Sequence, residues 1–242
     1  MTADSEAGPE HTKTGNMKTN GNPLSDTLWN GTGAGAPPRI KVCGLRCPEQ
    51  ALLAARYGAD AIGLMLYPPS PRAISLEGAS RLAAALEGKA SRIGVFVNPA
   101  PGWVEKVLSS VALDGLQFHG EEDNGFCHAW GLPWIKAIPV KENMDLVAKT
   151  RLWPDASALL FDTSTPQARG GTGQTFDWGI IPGCLSQRFM LAGGLTAANV
   201  GEAVRQLRPW AVDVSSGVER ARGEKDTLLI RNFIAEVRRA ST

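Results

Sequence analysis

The 242-residue sequence has no excess of either charge, with 25 Lys and Arg against 24 Asp and Glu. Overall electrostatics therefore give no reason to expect nucleic acid or an anionic membrane as partner, and any anionic ligand must be held locally. Cysteine is scarce. Cys43, Cys47, Cys127 and Cys184 form no C-x-x-C pair and sit in no His-rich cluster, which argues against a zinc site and against a disulfide framework. No apolar run approaches the ~20 residues of a membrane span, and the first residues lack the basic start and apolar core of a secretory signal. The expectation is a soluble, cytoplasmic chain. A Gly-x-Gly-x-x-Gly fingerprint after the first apolar run is also missing, since Gly44-Leu45-Arg46-Cys47-Pro48 follows Cys43. This disfavours a doubly wound dinucleotide-binding sheet.

What is present suits one domain. At 43% hydrophobic and 20% charged the chain has material for one sizeable core, and (β/α) barrels commonly run ~200–250 residues. Residues 1–36 are rich in Thr, Gly, Asn and Ser without sustained periodicity, so a disordered N-terminal tail is expected. It reads as a start-site extension, with Met17 an alternative first residue, or as a regulatory segment. From residue 37 to 242, short apolar runs alternate with longer helical patterns, the rhythm of βα repeats. The runs are Ile40–Cys43, Ala61–Leu66, Ile93–Val97, Gly115–Phe118, Trp134–Ile138, Ala158–Phe161, Phe189–Ala192 and Ala211–Val214. Helices are expected at Pro48–Tyr57, Leu76–Leu86, Val104–Ser109, Met144–Leu152, Ala197–Leu207 and Thr227–Arg238, with shorter ones at Asp123–Trp130 and Asp177–Ile181. Ser75 and Thr196 are placed as N-caps, and Pro48 at a first-turn position. Eight strands alternating with eight helices predict a closed (β/α)8 TIM barrel.

Such a barrel carries its chemistry at the C-terminal ends of the strands. The ends read Lys41-Val42-Cys43-Gly44, Ser70-Pro71-Arg72 beyond the second strand, Gln117-Phe118-His119, Phe161-Asp162, Ala192-Gly193-Gly194 and Asp213-Val214-Ser215-Ser216-Gly217. The last two ends, with Gly170-Gly171-Thr172-Gly173, suit a phosphate cradle, because glycine lets backbone amides approach an anion. A strand-end cysteine is ordinarily a small buried hydrophobe. Facing the barrel mouth, Cys43 becomes a proton acceptor if a nearby cation favours its thiolate. Asp162, facing it across a ligand, suits an acid; its alternatives are a helix cap or a partner for Arg169. Arg72 reads alone as a surface arginine, and His119 as a satisfied barrel-mouth histidine.

Lys41-Val42-Cys43-Gly44-Leu45, Asp162-Thr163 with Gly170-Gly171-Thr172-Gly173 and Phe176-Asp177-Trp178, Leu191-Ala192-Gly193-Gly194-Leu195, and Asp213-Val214-Ser215-Ser216-Gly217-Val218-Glu219 together resemble the phosphoribosylanthranilate isomerase family, over about residues 39–239. The resemblance implies an Amadori rearrangement in tryptophan biosynthesis without metal, flavin or nicotinamide. It implies Asp162 as general acid on the ribose ring oxygen and Cys43 as general base at C2′. Arg72 would pair with the anthranilate carboxylate and Asp213 contact the anthranilate amine, while Gln117 and His119 match the pattern without an assigned task. Gly171, Gly173, Gly193, Gly194, Ser215, Ser216 and Gly217 would hold the phosphate. Two departures stand out. Arg220-Ala221-Arg222-Gly223-Glu224 precedes Lys225-Asp226 where the family has Pro-Gly, and Leu64-Met65-Leu66-Tyr67 replaces a more aromatic second strand.

The competing readings are a histidine-pathway or dual-substrate isomerase, which carries Asp in place of Cys43, and a catalytically silent barrel that binds a sugar phosphate. Oligomeric state, monomer or homodimer, is not legible, because the apolar helix faces that build a barrel serve equally well at a dimer interface. Removal of residues 1–36 is expected to leave melting temperature and turnover nearly unchanged. A large drop in either on truncation would show that the tail packs.

Overall fold

The computed structural model describes residues 36–165, 168–169, 177–183 and 185–242. The expected tail up to residue 35, the loop bearing Gly171 and Gly173, Phe176 and Cys184 lie outside the described residues. Eight parallel strands form the barrel: β1 (Arg39–Cys43), β2 (Ala61–Met65), β3 (Ser91–Phe96), β4 (Gly115–Phe118), β5 (Trp134–Val140), β6 (Ala158–Thr165), β7 (Phe189–Leu191) and β8 (Ala211–Val214). Each strand pairs with the next, and β8 pairs with β1, so the sheet closes and leaves no barrel edge. The helices are α1 (Pro48–Tyr57), α2 (Leu76–Ala85), α3 (Pro101–Ser110), α4 (Asn124–His128), α5 (Leu146–Thr150), α6 (Val200–Leu207) and α7 (Thr227–Ala240), with a 3₁₀ turn at Trp178–Ile180 between β6 and β7.

Alternation along the strands decides what faces inward. Ile135, Ala137, Ala158, Leu160, Met190, Ala192 and Ala211 form one interior cluster, and Ala61 with Ile93 another. Residues of opposite parity, such as Ile40, Ile62, Leu64, Leu116, Phe161 and Val212, pack against the helix layer. In parallel strands paired residues share a face, so the pairings Lys41↔Asp213, Cys43↔Gly63 and Val95↔Gln117 place these side chains on the inner surface.

Most helix starts follow the local chemistry. Ser75 accepts from Gly78 N at 3.1 Å, Asp123 from Phe126 N at 2.7 Å and Asp226 from Leu228 N at 2.8 Å. Thr196 is a correction. Its hydroxyl accepts from Ala198 N at 3.3 Å, while Asn199 Oδ1 accepts from Thr196 N at 2.8 Å and Asn199 Nδ2 donates to Gly194 O at 3.0 Å. These local side-chain bonds to the backbone close a turn, and α6 starts at Val200, three residues after the expected Ala197. The Arg220–Glu224 segment, where the sequence departs from the family pattern, is a tight hairpin pairing Glu219–Ala221 with Glu224–Lys225.

One charged pair is buried outside the barrel interior. Lys136 has the opposite parity from Ile135 and Ala137, and its ammonium donates to Gly120 O at 2.6 Å and Glu122 Oε2 at 2.8 Å. Glu122 Oε1 in turn accepts from Asn98 N at 2.7 Å. The pair pins the loops after β3 and β4 to β5. Glu122→Ala leaves a buried ammonium without its counter-charge, which costs on the order of 3–5 kcal/mol, whereas the double variant Glu122→Leu/Lys136→Met is expected to recover only the part due to the uncompensated charge, because Asn98 N and Gly120 O still lose their partners. Urea unfolding of the two variants checks this, and equal destabilisation would contradict it.

Candidate active site

The mouth of the barrel is lined by the inner residues at the strand ends. Lys41 and Cys43 lie two apart on β1 and are both buried, at 0% and 4% exposure. Lys41 Nζ donates to Asp213 Oδ1 on the adjoining β8 at 2.9 Å. Asp213, expected to meet the ligand's amine, is therefore tethered through one oxygen to a buried ammonium. Gly63 on β2 faces the same point: a Cβ there would lie 2.7 Å from Cys43 Sγ and 3.1 Å from Lys41 Nζ. Any other residue at 63 would push into both groups.

Burial pushes the Cys43 thiol above its ordinary range; the Lys41 and Lys225 ammoniums act against this, and the Asp213 carboxylate adds to it. Burial acts to lower Lys41, but the Asp213 carboxylate and Cys43 outweigh it, and Lys41 ends above its ordinary value. Lys41 is thus a firm cation beside the thiol, the positive neighbour that a thiolate base requires.

On the other side of the mouth, Asp162 lies on the inner face of β6 and is buried. His119 Nε2 stands 3.3 Å from Asp162 Oδ2, and His119 Nδ1 stands 3.3 Å from Gln117 Nε2. Gln117 and His119, left without a task by the sequence, orient the Asp162 carboxyl through a short side-chain chain along β4.

Arg72, in the loop after β2, makes a bidentate pair with Glu219, Nε to Oε1 at 2.6 Å and Nη2 to Oε2 at 2.8 Å. Its stem lies over Gly44, where a Cβ would stand 2.9 Å from Arg72 Cδ, so the guanidinium is held beside the end of β1. Glu219 Oε1 also accepts from Lys225 Nζ at 2.7 Å, and Oε2 from Gly223 N at 3.1 Å. Burial alone would raise the Glu219 carboxyl, yet the bonds from Arg72 and Lys225 prevail and bring it down to about 2.

The two glycine-bearing turns after β7 and β8 are packed together. Gly193 and Gly194 both adopt left-handed backbone, with φ of 81° and 64°. A Cβ on Gly217 would fall 1.8 Å from Leu195 O, so only glycine allows this approach of the Ser215–Gly217 turn to the Gly193–Leu195 turn. Ser215 Oγ donates to Cys43 O at 3.2 Å, and Lys225 Nζ donates to Ser215 O at 2.9 Å and Ser215 Oγ at 3.1 Å. The candidate phosphate turn, the candidate base and the arginine thus share one hydrogen-bonded frame.

A family model of N-(5′-phosphoribosyl)anthranilate (PRA) isomerase matches residues 40–236. The chain belongs to the phosphoribosylanthranilate isomerase family. It is 50% identical over 201 residues to N-(5′-phosphoribosyl)anthranilate isomerase of Hahella chejuensis, covering 83% of this chain and 94% of that relative. The crystal structure of the Thermotoga maritima phosphoribosylanthranilate isomerase superposes with a TM-score of 0.75 at 40% identity, covering 83% of this chain and 98% of that one. A further phosphoribosylanthranilate isomerase structure, holding reduced 1-(o-carboxyphenylamino)-1-deoxyribulose 5-phosphate, superposes at 0.69 with 36% identity and the same coverages.

Beside the family's strand-end residues, four others in this frame carry no task in the sequence: Lys41, Gly63, Glu219 and Lys225. A lysine at inner parity on β1 and a glycine inside β2 are legible signals once strand parity is known; the links of Glu219 and Lys225 to Arg72 and Ser215 are not. An apolar cleft of about 300 Å³, lined by Leu66, Tyr67, Val97 and Trp103 among others, lies beside the loops after β2 and β3 and includes none of these residues. Because the Cys43 thiol is raised, the thiolate fraction grows as pH rises past its ordinary range, so kcat/KM is expected to climb with pH through neutrality. Lys41→Met removes a neighbouring cation and leaves Asp213 uncompensated, and both effects move the climbing limb to higher pH. A limb unmoved by Lys41→Met would separate the ammonium from the thiol.

Proposed function

We propose that this chain isomerises N-(5′-phosphoribosyl)anthranilate in tryptophan biosynthesis, with Cys43 as general base and Asp162 as general acid. The observation that carries this is the placement of both side chains on the inner face of the barrel mouth, Cys43 beside the Lys41 ammonium and Asp162 against His119. The backbone amides of Gly193, Gly194, Ser215, Ser216 and Gly217 are our candidates for holding the phosphate, joined by Gly171 and Gly173. Arg72 is our candidate for the carboxylate and Asp213 for the amine.

In this reading Asp162 gives its proton to the ribose ring oxygen while the anthranilate nitrogen pushes its lone pair toward C1′. The bond from C1′ to the ring oxygen breaks and a protonated Schiff base forms. Cys43 thiolate then takes the C2′ proton, the electron pair of that C–H bond forms the C1′–C2′ double bond, and the C1′=N π pair returns to the nitrogen, giving an enolamine. Tautomerisation of the enolamine gives the aminoketose. The substrate as a whole is neither oxidised nor reduced, so proton donors and acceptors suffice. Each turnover leaves Cys43 with a proton and Asp162 without one, and exchange with solvent resets the pair. We place the reaction in the cytoplasm, where a reducing environment keeps the Cys43 thiol free.

Cys43→Ser and Asp162→Asn are each expected to lower kcat by about 10²–10⁴-fold, on the order of 3–5 kcal/mol of transition-state stabilisation. KM should change little, because the phosphate contacts remain. Steady-state turnover of freshly prepared phosphoribosylanthranilate, with the histidine-pathway aminoaldose alongside, measures both. Near wild-type kcat in two correctly folded variants would remove these residues from the mechanism.

A further inference from the structure

Arginine carries five N–H donors arranged as two forks. In Arg72 the fork made by Nε and one proton of Nη2 is fully committed to Glu219. Among the described residues Nη1 has no hydrogen-bond partner, and the Arg72 side chain keeps 10% of its surface exposed. The second fork, Nη1 with the remaining Nη2 proton, is therefore open and held at a fixed angle.

A guanidinium neutralised by a carboxylate is a poor receptor for a second carboxylate. The structure answers this with Lys225. Its three protons have three acceptors: Glu219 Oε1 at 2.7 Å, Ser215 O at 2.9 Å and Ser215 Oγ at 3.1 Å. Lys225 is buried and has no donor left for a ligand. Around the one carboxylate of Glu219 stand two cations, Arg72 and Lys225, while the nearby Lys41 already has its own counter-ion in Asp213. The cluster therefore holds one positive charge in excess, and the donors still open on it are those of the second Arg72 fork.

We propose that Glu219 and Lys225 are the positioning half of a carboxylate receptor, Glu219 locking the Arg72 guanidinium and Lys225 offsetting the charge that this lock introduces. The ligand group is a carboxylate on an aromatic amine, and the selection is against the same ligand without that carboxylate. This rests on the reading of Arg72 given above and extends it to two residues that do not touch substrate. Gly223 N on Glu219 Oε2 at 3.1 Å and Arg46 Nη2 on Gly223 O at 3.0 Å hold the hairpin that presents both residues. The segment that departs from the family pattern thus still delivers the Glu219 and Lys225 contacts.

The test compares dissociation constants, by calorimetry, for reduced 1-(o-carboxyphenylamino)-1-deoxyribulose 5-phosphate and for the analogue with an unsubstituted phenyl ring. A charge-assisted bidentate contact predicts that the wild type prefers the carboxylated ligand by about 10- to 100-fold. Lys225→Met removes the offsetting charge and keeps the lock; Glu219→Asp keeps the charge and is too short to keep the lock. Both are expected to bring the preference down to about 3-fold or less, with the phenyl analogue bound about as in the wild type by Glu219→Asp and more weakly by Lys225→Met, which also loses the bonds to Ser215, and Lys225→Arg is expected to restore the preference. A preference that survives in either of the first two variants overturns the proposal, as does an equal weakening of both ligands, which would mark a merely structural role. If one variant fails to fold, the other decides. A preference that survives Arg72→Ala, or is missing from the wild type, sinks the reading of Arg72 itself and is thereby distinguishable.

Discussion

A closed parallel barrel has no edge, and this constraint governs everything at its mouth. Each strand residue must face either the helices or the axis, and the pairing register decides which neighbours it meets. Pairing of β1 with both β2 and β8 sets Cys43 opposite Gly63 and Lys41 opposite Asp213. A shift of one residue in that register would turn Lys41 and Cys43 toward the helix layer and bring Val42 to the axis. The chemistry at the mouth is therefore a consequence of strand register before it is a matter of side-chain choice. The interior below, filled by Ala137, Leu160, Met190 and Ala211 among others, keeps water from the bottom of the site and lowers the local dielectric. That is why one cation beside Cys43 carries weight.

Much of this was legible in the sequence because it depends on short-range patterns. The eight apolar runs coincide with the barrel strands to within a few residues, since β-branched and apolar runs buried on both faces have few other destinations. Ser75 caps its helix as expected, and Asp123 and Asp226 cap theirs without having been singled out. The departures arise where two local choices compete or where the partner is remote. Thr196 still accepts from Ala198 N, but Asn199 three residues on binds Thr196 N and Gly194 O and closes a turn before the helix begins. Arg72 and Glu219 are 147 residues apart, and Lys41 and Asp213 are 172 apart. No periodicity reports such a contact. Lys136 and Glu122 are closer in sequence, yet an outward-facing lysine in a strand reads as a solvated charge unless the loop that buries it is known.

The segment after β8 contributes more than a phosphate turn. Ser215 bonds the backbone of Cys43, Lys225 bonds Ser215, and Glu219 bonds Lys225 and Arg72. Gly217 meanwhile brings this segment against Leu195, so that the turns after β7 and β8 pack directly on each other. A ligand bridging the phosphate turns and Arg72 would thus be gripped by groups already fixed relative to the candidate base. Pre-organisation of this kind reduces the ordering that binding must otherwise impose.

The same cluster bears on why the chain keeps so many buried charges. Desolvating an ion pair costs enough that a well-packed apolar replacement is often neutral or stabilising. Lys41 with Asp213, and Arg72 and Lys225 with Glu219, are therefore poor explanations of the fold's stability taken as such. Lys136 with Glu122 differs, because its partners are loop backbone groups, Gly120 O and Asn98 N, that would otherwise be left without bonds. The mouth clusters bond few groups that the barrel needs, and the one around Glu219 leaves open donors on Arg72 and one positive charge in excess. Their cost is understandable if something anionic arrives there, and the proposed phosphate at the glycine turns and the proposed carboxylate at Arg72 would be such groups.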